Sequence, residues 1–255
     1  MTITTERVTL RHAATTPLAA CLREPRGDDE LALAGVDTRA AVQLLDRLAL
    51  QTPCPSAQLS AGDRDQLLAA LHRALWGDRI VSTLSCPACG ADYDLAFELS
   101  ALQRSLAEQA EPAAVEAART LRTGAGERFE LSAADVEDAA AMRGPSGGAA
   151  WLAATISGVA DADPDAVGQR LDAIAPLIDV DLDTRCAECE YPQRARFDIQ
   201  GFVLQRLLDE RDGVLDDLHA LAAGYAWSLP DILALPRSLR RSLVQRLAGS
   251  APAWG

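Results

Sequence analysis

Apolar residues first recur at helical spacing after Asp37, where Val42, Leu45 and Leu48 or Ala49 share one face until Pro53 and Pro55 interrupt them. The first thirty-odd residues show no such rhythm, and Arg23-Glu-Pro-Arg-Gly27-Asp-Asp reads as a turn. A better-punctuated helix follows. Ser60-Ala-Gly-Asp63 has the form of a capping box with Asp in place of Glu, Leu67, Leu68, Leu71 and Leu75 make the apolar stripe, and Gly77 is placed to end it. Beyond Gly77 the period drops to two. Arg79 to Ser85 predicts one strand, and Tyr93, Leu95, Phe97 and Leu99, alternating with Asp92, Asp94, Ala96 and Glu98, predict the next. Cys86-Pro-Ala-Cys89-Gly90 falls at the tip of this hairpin.

Residues 101 to 122, rich in Ala, Leu, Glu and Arg, predict a helix. A short strand is expected at Arg128 to Leu131, a helix from Ser132, a loop at Gly144-Pro-Ser-Gly-Gly148, and helices over about 149–159 and 164–176. Asp163-Pro164 supplies N-cap and first turn for the second of these.

The alternating pattern then returns. Val180 and Leu182 alternate with Asp179, Asp181 and Asp183, Cys186-Ala-Glu-Cys189 follows, and Ala195, Phe197 and Ile199 alternate with Arg194, Arg196 and Asp198. Cys86 and Cys186, Cys89 and Cys189, Phe97 and Phe197, and Leu99 and Ile199 are each 100 residues apart. This reads as an internal duplication. The chain ends in helix: Leu204, Leu207, Leu208, Leu215, Leu218 and Leu221 form a long stripe, Gly224 is a candidate C-cap, and Ser228-Leu-Pro-Asp231 opens the final helix. The predicted fold is α+β and mainly helical. Residues 1–122 would form a first unit with a CxxC hairpin, 123–200 a second, and 201–255 a C-terminal helical extension, all in one compact body.

Composition narrows the function. Apolar residues make up 49% of the 255, enough to fill a core. A net charge of −13 repels phosphate backbones, which argues against nucleic acid as a ligand. The chain has no lysine, and its one basic stretch is the tail, where Arg237, Arg240, Arg241 and Arg246 follow the last acid, Asp231. That stretch reads as a solvated helix face or as a dock for an acidic partner. The start lacks a charged n-region followed by an apolar h-region, so no signal peptide is expected. The least polar stretch, Gly147 to Ala160, is far short of the ~20 residues that span a bilayer. A cytoplasmic protein is expected, and cysteines in a reducing compartment are better read as metal ligands or free thiols than as disulfides.

Four of the six cysteines pair as CxxC. Zinc takes four tetrahedral ligands, and a CxxC turn at a hairpin tip supplies two, so Cys86, Cys89, Cys186 and Cys189 are candidate ligands of one structural Zn2+. The 96 residues between the pairs are long for a zinc ribbon, and the duplication accounts for them. Cys186-Ala-Glu-Cys189-Glu190 lacks the glycine of the first knuckle, which makes it the less regular half. Two other readings stand beside this one: a zinc-ribbon regulatory module, which would call for a basic face, and a dithiol redox protein, in which the first cysteine gains from a helix N-terminus. Cys21 and Cys54 read as ordinary buried thiols. His12, His72 and His219 lack metal or triad spacing, and the phosphate-loop, dinucleotide, HExxH and GxSxG motifs are missing. No enzyme active site is expected.

Two stretches carry a family resemblance. One is the repeated strand, CxxC and strand. The other is His219-Ala-Leu-Ala-Ala-Gly-Tyr-Ala-Trp-Ser-Leu-Pro-Asp-Ile-Leu-Ala-Leu-Pro236 with the arginines behind it. Together they resemble the T-even-type baseplate hub assembly proteins found with contractile phage tails and phage-tail-like injection systems of bacteria, over most of residues 23–247. The resemblance implies a non-enzymatic role in building the baseplate, through contacts with other baseplate or hub proteins, as a lasting subunit or a departing chaperone. Tyr225, Trp227, Arg237, Arg240 and Arg241 are the candidate partner-facing residues; a helix–helix corner in the core is the alternative reading of the aromatics.

Overall fold

The computed structural model describes residues 6–11, 19–111, 114–117, 120–123, 126–131 and 133–250. The described part of the segment expected to be irregular holds regular structure. Strand β2 (Ala19–Leu22) pairs with β1 (Val8–Thr9) on one side and β3 (Ala49–Gln51) on the other, in an antiparallel sheet ordered β1-β2-β3. Between β2 and β3 lie α1 (Gly27–Ala32) and α2 (Thr38–Leu48). The Pro25–Gly27 turn signal marks the start of α1, where Asp29 accepts from the Arg26 backbone N–H at 2.9 Å and closes the cap. Helix α2 opens on Asp37 as read from the sequence, its carboxylate accepting from Ala40 N, and buries Ala41, Leu44, Leu45 and Leu48.

Helix α3 (Ala61–Trp76) is capped by Ser60, which accepts from Asp63 N, and ends at Gly77 with φ +86°. The first hairpin, β4 (Arg79–Ser85) with β5 (Asp92–Glu98), runs directly into α4 (Leu99–Gln109). The helix expected over 101–122 stops at Gln109. Ala110 turns extended, and Glu111 precedes Pro112, a position biased away from helix. The chain instead forms β6 (Ala114–Ala117), β7 (Thr120–Arg122) and β8 (Arg128–Glu130) in one antiparallel sheet. Burial of Leu121 and Phe129 in a common core overrides the helix-forming composition.

Helix α5 (Ala134–Ala141) is followed by α6 (Pro145–Ser157). The glycine-rich stretch expected as a loop is therefore helical from Pro145. Gly144 is its N-cap and Pro145 its first-turn residue, while Gly148 lets α6 cross α5: a side chain there would lie 2.3 Å from the Ala140 carbonyl oxygen. Helix α7 (Pro164–Ile174), capped by Asp163, leads to the second hairpin, β9 (Asp179–Arg185) with β10 (Pro192–Asp198), and then to α8 (Ile199–Asp209).

The long leucine stripe is divided at Glu210 between α8 and α9 (Arg211–Tyr225), and Leu215 points to solvent. Gly224 is interior to α9, not its cap. Leu247 packs close over it, and Ala226 takes the left-handed cap at φ +50°. Ser228 caps only the five-residue α10 (Leu229–Leu233); the final helix is α11 (Arg237–Ser250). The main core joins β2, α2, α3 and Ile80 with Ile178, Phe197, Ile199 and Val203. A second core gathers Leu121, Phe129, Ile156, Val167 and Ile174, and a third gathers Val214, Leu218, Leu221 and Ile232 in the C-terminal helices.

Candidate metal centre

Each hairpin is a fully registered two-stranded ladder, closing at Ser85–Asp92 in the first and Arg185–Pro192 in the second. A lone two-stranded hairpin is at best marginally stable in water, so its tip needs a further tie. The two turns are built alike. Cys86 N donates to Ala91 O at 2.9 Å and Gly90 N to Cys86 O at 2.8 Å; Cys186 N donates to Tyr191 O at 3.1 Å and Glu190 N to Cys186 O at 3.0 Å. Both turns need a left-handed residue after the second cysteine. Gly90 takes it at φ +75° without steric cost, and Glu190 takes the same region at φ +58° with strain. The missing glycine thus alters the energy of the second turn and leaves its shape intact.

The hairpins bring all four CxxC thiols together. Cys86 Sγ lies 3.6 Å from Cys189 Sγ and Cys89 Sγ lies 3.7 Å from Cys186 Sγ, with all four sulfurs within 4.8 Å of one another. A zinc–sulfur distance of about 2.3 Å gives a tetrahedron with edges of about 3.8 Å, whereas a disulfide requires ~2.05 Å. The spacing therefore fits four ligands around one ion and not two bonds. Cys86 and Cys186 are buried, Cys89 and Cys189 exposed, and Glu188 N points at Cys186 Sγ from 3.4 Å.

Four thiols this close cannot all ionise without a cation. Burial opposes ionisation of Cys86, but backbone N–H groups of Cys89 and Ala88 outweigh it and set its pKa at about 7. At Cys189 the Tyr191 backbone N–H favours the thiolate, yet burial and the three other sulfurs push the thiol up to about 12. A divalent cation removes that conflict, because a coordinating thiol is deprotonated outright.

Below the tips, Phe97 and Phe197 meet edge to face with centroids 5.0 Å apart. Leu84 and Tyr93 pack with Cys86 and Cys186, so the first hairpin supplies the apolar floor; Thr184 and Gln193 are their counterparts in the second. The outer faces carry Thr83–Asp94 and Arg196–Asp179 contacts at 2.8 and 2.7 Å, pairs of small energetic weight at a surface.

The candidate partner-facing residues separate. Tyr225 and Trp227 stack at 5.0 Å, Tyr225 half-buried against the third core and Trp227 42% exposed. Arg237 and Arg240 are not surface residues: they are 3% and 0% exposed. Arg237 Nη1 donates to Glu30 at 2.7 Å, and a second nitrogen pairs with Glu210. Arg240 donates to Glu30 at 2.6 Å and to Asp217 at 3.1 Å. Of the three, only Arg241 offers charge to solvent, and it too reaches Glu210, at 3.1 Å. Burial disfavours the Glu210 carboxylate, but Arg237, the Trp76 indole N–H and Arg241 hold its pKa below the usual range. Glu24 completes the cluster, accepting from Ser238 Oγ at 2.9 Å at the start of α11. From the sequence Asp216-Asp217 reads as a cap or solvated face, whereas Asp217 is largely buried against Arg240; nothing local marks the other acids as partners of buried arginines. The one available signal was the acidic run Asp28-Asp-Glu30 beside a turn, with arginines three apart far downstream.

Elsewhere, His72 is buried between Trp76 and Phe202, with burial first and then Arg206 lowering its pKa to about 4. His219 is exposed, and His12 lies outside the described residues. Cys21 lies in β2 and Cys54 against the main core, both half-buried. Among the described residues no helix is long and apolar enough to cross a membrane. The chain matches no protein-family profile, no curated protein and no solved structure.

Proposed function

We propose that this protein is a non-enzymatic assembly factor or structural component of the baseplate of a contractile injection system, held in shape by one structural zinc. The observation that carries the zinc is the convergence of four thiols, 3.6 and 3.7 Å apart across two hairpins that lie far apart in the chain. Four thiolates leave zinc no open position, so the ion would be a clasp and not a catalyst. Cys86, Cys89, Cys186 and Cys189 would hold it, and the ion would neutralise them. We read the hairpins as copies of one ancestral unit: β4, β5 and α4 recur as β9, β10 and α8 with every boundary shifted by the same 100 residues.

The assembly role rests on the resemblance of the repeated hairpins and of residues 219–236 to baseplate hub assembly proteins. In that role the clasp fixes the body that partners recognise. Elemental mass spectrometry tests the clasp: one zinc per chain, lost in Cys186→Ser, is expected, and metal-free protein equally stable with and without chelator would refute it. Deleting the gene tests the role, with incomplete particles in electron micrographs as the expected outcome. Intact, contracting particles would end the baseplate reading.

A further inference from the structure

Two depressions beside α7 run into one another, sharing Leu106, Asp172, Pro176 and Leu177. The first is a slot of about 250 Å³ at the seam between the main and second cores. Its apolar walls come from Leu106 on α4, Leu152 and Ile156 on α6, Leu171 on α7, and Pro176 and Leu177 beyond it. At one end Arg11 lies beside Asp63, which accepts its backbone N–H at 2.7 Å.

The other end opens onto an acidic rim. Asp172 there has no arginine within salt-bridge distance among the described residues, while Asp179 is matched by Arg196 and Asp181 is held by Arg194 only at 3.9 Å. Burial, and then the charge of Asp179, raise the pKa of Asp172, the behaviour of a carboxylate that lacks a cation. Gly168 of α7 also lines the slot, and a Cβ added there would meet nothing within 4 Å. A glycine inside a helix is unfavourable relative to alanine, and here the space its side chain would occupy is left empty.

We propose that this slot is a docking site for a partner-protein segment in which an apolar side chain is flanked by lysine or arginine. The apolar residue enters between α4, α6 and α7, and the cation meets Asp172 and Asp181. The charge balance chooses the occupant: a body of net charge −13 with an uncompensated carboxylate at the mouth repels acidic segments and draws basic ones. This deepens the assembly reading and rests on it only in taking the partner to be a protein; the slot does not include the cysteines.

The test uses the full chain and a fluorescein-labelled peptide, acetyl-Gly-Trp-Leu-Lys-Arg-Gly, against the same peptide with Glu-Glu for Lys-Arg, read by anisotropy. The basic peptide should bind at least about tenfold tighter than the acidic one. Gly168→Leu, which fills the slot from inside, should weaken it by about tenfold or more with no loss of melting temperature, and Gly168→Ala by less. Asp172→Asn should shrink the preference for the basic peptide while the slot stays open. No binding, equal binding of both peptides, or binding indifferent to Gly168→Leu would overturn the proposal. Self-association relieved by Gly168→Leu would overturn it too, naming a second copy as the occupant. Zinc content is read separately, so a failed clasp and a failed slot are distinguishable.

Discussion

Two ties join distant parts of this chain, and they are made of opposite materials. Four cysteines meet at hairpin tips 97 and 103 residues apart, soft and uniform groups that the proposed zinc would join. The charge cluster joins α1 to α11 across as many as 210 residues through carboxylates and guanidinium groups that are almost fully buried. On the proposed reading the clasp would gain its strength from a bound ion, for which the unfolded chain has no preformed site. The cluster contains its own counter-charges, so most of its attraction is cancelled by the cost of taking those charges out of water. A metal tie would stabilise outright; a buried charge tie mainly fixes which surfaces meet, because a misplaced C-terminal helix would leave Glu30 or Arg240 buried and alone.

The sharpest way to break the comparison is to remove metal. Cys186→Ser, or a strong chelator, should remove metal-linked stability on the order of 10 kcal/mol. Hydrogen exchange should show protection lost first in β4–β5 and β9–β10, with the C-terminal helices less affected. Next comes the cluster. Arg240→Met should cost about 3–5 kcal/mol in urea unfolding, because Glu30 loses one of its two cations in the interior. The exposed neighbour supplies the contrast: Arg241→Ala should change stability by no more than ~1 kcal/mol. If both arginines cost the same, the distinction between buried and surface pairs fails.

Smaller effects separate the two knuckles. Gly90→Ala should destabilise by about 1 kcal/mol, since its space is open and only the backbone at φ +75° objects. Glu190→Gly should move the other way by up to about 1 kcal/mol, relieving the strain at φ +58°. Both are read as shifts in melting temperature of zinc-loaded protein.

The most condition-dependent effect concerns a third tie, where Asp65 on α3 accepts from Ile178 N at 3.0 Å just before the second hairpin. Burial pushes this carboxyl up to about 7. Between the unfolded value near ~4 and about 7 the folded protein holds a proton that the unfolded chain has lost, so this group's contribution to stability falls as pH rises. His72, lowered to about 4, slopes the opposite way: its contribution is lost as pH falls below the unfolded value of ~6.5. Asp65→Asn should therefore gain stability over the native chain at pH 8 and little at pH 4, measured by urea unfolding at both.

The candidate site and parts of the fold were legible to different degrees. Helix α2 behind Asp37, α3 behind Ser60, and both hairpins stand where the spacing puts them, because caps and alternation are local signals. The strands β6 and β7 were hidden in helix-forming composition, and α6 behind glycines that look like a loop. In both cases the deciding contact is with another element: Phe129 beside Leu121, Ala140 beside Gly148. Arg237 and Arg240 were misread for the same reason, since nothing near them in sequence carries the acids that bury them.

The sequence by itself determined the four cysteines of the cluster and the two hairpins that present them, because a CxxC turn and a period of two are local signals. Only the tertiary structure decided that the tips meet, that the last helix turns its arginines inward, and that a slot stays open at the seam of two cores. Those outcomes depend on burial, and burial is a property of the whole packed chain.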